Sequence, residues 1–216
     1  MTTILHIDAS AQTENSISRQ LSAAFIETWM KQRPQDTVLR RDLSIAPPGF
    51  VTLDWIAACF TPEAKRTDAM NEALKESDEL IDELEKADIV VLGTPMYNYG
   101  MPAVLKAWVD KVVRIGKTFS FDRGRGDYPI EPIFSGKTLV ALTSKGEFGF
   151  GPDGVRAHLN HLDGHIESVA HYLGLSERHF VHSEFQEFAD DRHKQSRTTA
   201  EADTIALASK LLAEHQ

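Results

Sequence analysis

The chain has 216 residues, of which 42% are hydrophobic and 25% charged, with ordinary glycine and proline counts; this composition builds one large globular domain spanning residues 1–216 and excludes a disordered or fibrous chain. A formal charge of -9 argues against nonspecific binding to nucleic acid or an anionic membrane, both of which need clustered positive charge. Cys59 is the only cysteine, which excludes an intrachain disulfide and a cysteine-rich zinc site. The opening Met-Thr-Thr lacks the basic and long apolar regions of a secretory signal, and no stretch is long enough to cross a bilayer. A cytoplasmic protein is the expectation.

Thr3 to Asp8 is a short, mostly apolar run ending in small polar residues, as a buried parallel strand requires. Ile17, Leu21, Ala24, Phe25 and Trp29 then mark one helical face, ending near Arg33-Pro34. Thr37 to Asp42 is less apolar and fits an edge strand, after which the chain is irregular through Pro47-Pro48-Gly49. Ala73, Ser77, Leu80, Ile81 and Leu84 stripe a long surface helix between Pro62 and Lys86. Ile89 to Thr94 opens with four consecutive aliphatics and predicts a central buried strand. A helix begins after Pro102, a strand runs from Lys137 to Thr143, and a helix surrounds Ile166 to Leu173. A shorter strand covers His179 to His182, and an alanine-rich helix runs from about Thr198 to Ala213. The charged, glycine-rich stretch Asp122 to Pro129 predicts a mobile loop.

This strict alternation predicts a doubly wound α/β fold: five parallel strands with helices on both faces. Ligands of such folds bind beyond the carboxyl ends of the strands, so the loops after the first, third and fourth strands are the places to look for chemistry. The first loop sets Ser10, Ser16 and Ser18, with Ile17 between them, at a strand end and a helix start. Hydroxyls and free N–H groups there suit a monophosphate, although the same serines also suit plain cap and turn roles. Neither the Gly-Lys-Ser/Thr of P-loop enzymes nor the dinucleotide Gly-x-Gly-x-x-Gly occurs. The second loop, Pro95-Met96-Tyr97-Asn98-Tyr99, gives a stiff apolar shelf for a flat heteroaromatic ring, or aromatics capping the sheet. The third loop contains Ser144, Lys145 and Gly146; its lysine either faces a ring that becomes anionic on reduction or is an ordinary exposed side chain.

Together these three loops resemble the FMN-dependent NADH:quinone oxidoreductases and azoreductases of flavodoxin-like fold, and the resemblance runs nearly end to end. It implies that Ser10 and Ser16 to Ser18 bind the FMN phosphate, that Pro95 to Tyr99 line the isoalloxazine, and that Ser144 to Gly146 lie at its pyrimidine side. It further implies a ping-pong cycle in which NADH or NADPH reduces a non-covalent FMN, one per subunit, and a quinone or azo compound then takes the electrons. No side chain is assigned as catalytic, because the cofactor performs the redox chemistry. A homodimer with the flavin at its interface is implied as well, and Phe119, Phe121 and Tyr172 are candidates to cover the ring. The family commonly has Thr-Ser-Arg-Gly-Gly in the third loop; Lys145 and Glu147 depart from it.

Two competing readings have their own sequence signals. A flavodoxin-like electron carrier shares the fold but turns over no NAD(P)H, and the longer chain and added loops favour the enzyme. His158, His161 and His165 share a helical spacing that suits a metal, yet Gly164 loosens the helix there, and no metal ligand is assigned. Cys59 has no neighbouring basic residue to activate it.

Overall fold

A computed structural model describes residues 1–214. Strands β1 (Thr3–Asp8), β2 (Thr37–Asp42), β3 (Ile89–Pro95), β6 (Lys137–Ser144) and β7 (Leu175–Ser183) form one sheet in the order β2-β1-β3-β6-β7, with every pair parallel. The five-stranded doubly wound prediction therefore holds. β3 and β6 are buried at every position, as expected of strands covered on both sides, whereas edge strand β2 has no fully buried residue.

Alternation along the strands divides the core into two layers. Leu5, Ile7, Val90, Leu92, Leu139 and Ala141 meet α3 (Asp68–Lys86), α4 (Ala103–Val112) and α5 (His161–Tyr172) through residues such as Leu84, Trp108 and Ile166. Ile4, Ile89, Val91, Val140 and Leu142 face α1 (Ile17–Gln32) and α6 (Asp191–Glu214), where Phe25, Trp29 and Leu211 fill the space. Gly93 lets α1 approach β3 closely. A Cβ there would lie 2.5 Å from Asp8 Oδ1, 2.8 Å from Ser22 Oγ and 3.0 Å from the Ser18 carbonyl oxygen.

Several elements differ from the sequence expectation. Helix α2 (Leu53–Phe60) occupies a stretch with no predicted element, because its apolar residues lie all round and leave no stripe to read. The long helix starts at Asp68, where Thr67 Oγ1 accepts from the Met70 N–H, and not at Pro62. α5, β7 and α6 each begin several residues earlier than predicted. Asp122 to Pro129 connects a small hairpin, β4 (Phe119–Phe121) with β5 (Ile130–Pro132), and the Asp122 carboxylate accepts from Gly124 N at 2.8 Å.

Candidate functional site

Because all five strands run parallel, their carboxyl ends bring the three loops to one edge of the sheet. Ala9 extends the ladder, donating to the Gly93 carbonyl at 2.9 Å, and delivers the buried Ser10. Ser16 caps α1, its Oγ accepting from Arg19 N and lying 3.1 Å from Ser18 Oγ. The first-turn N–H groups and the positive end of the helix dipole thus border a hydroxyl-lined hollow. Arg19 lies behind this hollow. Its guanidinium donates twice to the Ser10 carbonyl, at 3.2 and 2.7 Å, and grips the Asp42 carboxylate at 2.5 and 2.8 Å. That grip holds the Asp42 carboxyl well below the usual carboxylate range. The loop is therefore pinned from β2 while its inner surface stays free of basic side chains.

The second loop is a two-residue turn. Tyr97 and Gly100 exchange both backbone hydrogen bonds at 3.0 Å, and Asn98 and Tyr99 have φ of 48° and 66°. Asn tolerates the left-handed region, but a bulky Tyr there costs on the order of 1–3 kcal/mol and must be held by its surroundings. Three contacts hold it: the Tyr99 hydroxyl donates to Glu147 Oε2 at 3.0 Å, its carbonyl accepts from His161 N at 3.1 Å, and its ring tilts against Phe150. Glu147 beside it pushes the phenol above its ordinary pKa. The Tyr97 hydroxyl lies 3.4 Å from Ala11 N and links the second loop to the first.

In the third loop the carbonyls of Lys145, Gly146 and Glu147 accept from the amides of Gln186, Glu187 and Phe185 at 3.3, 3.0 and 3.0 Å. The segment after β7 thus backs this loop, and Phe148 stacks on Phe185 with ring centroids 4.6 Å apart. Glu147, the departure from the family pattern, is tied down by Arg156 Nε at 3.0 Å as well as by Tyr99. Lys145 does not face the loop's ligand side. It is 1% exposed, and its ammonium donates to Asp163 Oδ2 on α5 at 2.7 Å. Asn160 donates to the same oxygen at 2.6 Å, and His182 Nε2 stands 3.6 Å from it. Burial, reinforced by the Lys145 cation, keeps the His182 pKa below its usual value.

A cavity of about 600 Å³ results, walled by Ser10, Ser16 and Ile17 at one end, Pro95, Met96 and Tyr97 along one side, and Ser144 and Gly146 beyond. A second cavity of about 380 Å³ shares Met96, Gly146 and Glu187 with it and adds Asn98 and Tyr99. Of the twelve residues predicted for the site, only Ser18 and Lys145 line neither cavity; both are buried behind it. Gln12, Gln186, Glu187, Glu147 and Phe150 line the cavities without having been predicted. Gln186 and Glu187 are some forty residues beyond the third loop, and only the β6–β7 pairing brings them there. Phe119 and Tyr172 pack edge to face at 5.3 Å and, like Phe121, line neither cavity. No group of three or more His, Cys, Asp or Glu among the described residues is arranged to hold a metal.

A hydroxyl-lined helix start that opens onto a stiff apolar wall, at the carboxyl edge of a β2-β1-β3-β6-β7 parallel sheet, defines a flavodoxin-type nucleotide-binding protein. Residues 2–207 match the family model described as flavodoxin-like fold. The chain is 50% identical over 218 residues to FMN-dependent NADH:quinone oxidoreductase 2 of Idiomarina loihiensis, covering 98% of this chain and 91% of that one. It is also 50% identical over 219 residues to FMN-dependent NADH:quinone oxidoreductase 2 of Colwellia psychrerythraea, covering 98% and 100% respectively. The chain belongs to this family of FMN-dependent NADH:quinone oxidoreductases. An azoreductase structure from Bacillus anthracis superposes with a TM-score of 0.86 at 24% identity, covering 97% of this chain and 100% of that one, and shares its fold.

Proposed function

We propose that this single-domain chain is an FMN-dependent NAD(P)H oxidoreductase that reduces quinones and aromatic azo compounds by two-electron ping-pong transfer. The observation that carries this reading is the continuity of the Ser10–Ser16 hollow with the Pro95–Tyr97 wall in one cavity of about 600 Å³, within the size range of cofactor sites. The hollow fits a phosphate: it offers hydroxyls and first-turn N–H groups, and no lysine, arginine or histidine lines it. FMN, when bound, accepts two electrons from NADH or NADPH and passes them to the acceptor. Ser10, Ser16 and the first-turn N–H groups of Ile17 and Ser18 would hold its phosphate, with the Ser18 hydroxyl bracing Ser16 from behind; Pro95 to Tyr99 would line the ring. Ser144, Gly146 and the Lys145 backbone border the pyrimidine side. Asn98 offers both a donor and an acceptor to a ring edge, and Tyr99, which lines the second cavity with it, is held there by its bond to Glu147.

A homodimer belongs to this proposal. Ile45, Phe50, Leu53 and Phe60, each more than 70% exposed, crowd the segment that leaves the carboxyl end of β2, and a patch of this kind favours association. We place the protein in the cytoplasm, in keeping with its lone cysteine; no helix among the described residues is long and apolar enough to cross a membrane. The test is to load the purified protein with FMN and compare NADH with NADPH turnover on one quinone and one azo dye. FMN-loaded protein that oxidises neither nucleotide refutes the enzyme reading and leaves an electron carrier.

A further inference from the structure

Glu187 lines both cavities, standing over Gly146 where they meet; a Cβ on Gly146 would lie 2.6 Å from its carboxylate. Among the described residues no basic side chain forms an ion pair with that carboxylate. Among the described residues no Lys, Arg or His lines either cavity, and the nearby cations are engaged elsewhere: Arg156 with Glu147, Lys145 with Asp163, Arg19 with Asp42, Arg192 with Asp190 and Arg197 with the Gln20 amide. Glu147, by contrast, is neutralised by its partner, so Glu187 is the uncompensated charge on the wall beside the ring site. Its backbone is fixed by the bond from Glu187 N to the Gly146 carbonyl, between the left-handed Phe185 and Ala189. The segment that carries the charge is therefore held at the rim.

We infer that Glu187 biases acceptor specificity by charge: the site favours neutral or cationic acceptors over anionic ones of the same shape, such as sulfonated quinones and sulfonated azo dyes. The inference rests on the proposed oxidoreductase activity only for its physiological meaning, since charge exclusion acts on binding. Glu187 is exposed, so for unit charges about 7 Å apart the screening lies between that of water and a dielectric of about 35, and repulsion corresponds to about a threefold to tenfold difference in affinity at low salt.

The test uses FMN-loaded protein in its oxidised form and a matched pair, 1,4-naphthoquinone and 1,4-naphthoquinone-2-sulfonate, with binding read from perturbation of the flavin absorbance. Wild type should favour the neutral quinone, and the preference should shrink as salt rises from about 20 to about 500 mM. Glu187→Gln should shift the affinity ratio about threefold to tenfold toward the sulfonate, and Glu187→Lys further. Because the readout is a ratio within each variant, a general loss of affinity does not obscure it. An identical ratio in all three proteins at low salt overturns the inference. If the ratio shifts as expected but no variant oxidises NADH, the enzyme reading fails and the charge filter stands; if neither quinone binds any of the three proteins, both are overturned.

Discussion

Lys145→Met removes a cation that is 1% exposed and leaves Asp163 Oδ2 with only the Asn160 amide at hydrogen-bonding distance. Breaking a buried pair by deleting one partner costs about 3–5 kcal/mol, because the remaining charge is stranded in a poor solvent. The Asp163 side chain retains 18% exposure, which places the expectation near the lower end, about 3 kcal/mol. In a chain of this length that loss lowers Tm by about 6–12 °C. Urea unfolding of the apoprotein gives the free energy directly, and a cycle with Asp163→Leu separates the pair from the rest. The double variant should recover most of the loss, since an apolar pair replaces a buried ion pair at little cost. The flavin midpoint potential provides an independent readout. An ammonium already neutralised by Asp163 has little field left at the ring, so Lys145→Met should cost stability far more than it lowers the potential. A variant within 0.5 kcal/mol of wild type, or a cycle with no coupling, would refute the reasoning.

Gly93→Ala should weaken FMN binding and cost about 1–3 kcal/mol, because its methyl group forces α1 off β3 at the phosphate end. Gly100→Ala, where a Cβ meets nothing within 4 Å, is the control, and equal behaviour of the two variants in fluorescence titration would contradict the close-packing argument. Asp42 has a folded-state pKa depressed by Arg19, so its contribution to stability is complete above the unfolded value near 4 and is lost as pH falls below it toward the folded value. Asp42→Asn should therefore lower stability at pH 7 and flatten the acid limb of the stability profile; parallel profiles from pH 7 to pH 3 would dismiss the Arg19 grip as its cause. Leu53→Asp with Phe60→Asp should convert a dimer to a monomer in sedimentation velocity, and a wild type that is monomeric at micromolar concentration would remove that surface from the proposal.

Much of the scaffold was legible because the signals were local. Ile89 to Leu92 reads as a buried strand without knowledge of its neighbours, and Ser16 announces the start of α1 whatever packs on it. Helix α2 was not legible, since Leu53, Trp55, Ile56 and Phe60 surround the axis and its exposed apolar side calls for a covering surface that the chain's own periodicity does not reveal. Lys145 was misplaced for a related reason. A lysine in a glycine-bearing loop reads as exposed, and only the docking of α5 supplies the carboxylate that allows it to be buried.

The sequence by itself determined the alternation of strands and helices and set the serines after β1 and the aromatic run after β3, because strand ends and helix caps are read from a few neighbouring residues. The tertiary structure alone decided the electrostatics. Arg19 was drawn behind the hollow by Asp42 on the neighbouring strand, Lys145 was neutralised from α5, and Glu187 was carried to the cavity wall by the pairing of β6 with β7. Charges act through space, and the distances that set their sign and strength at the site exist only once the sheet has assembled.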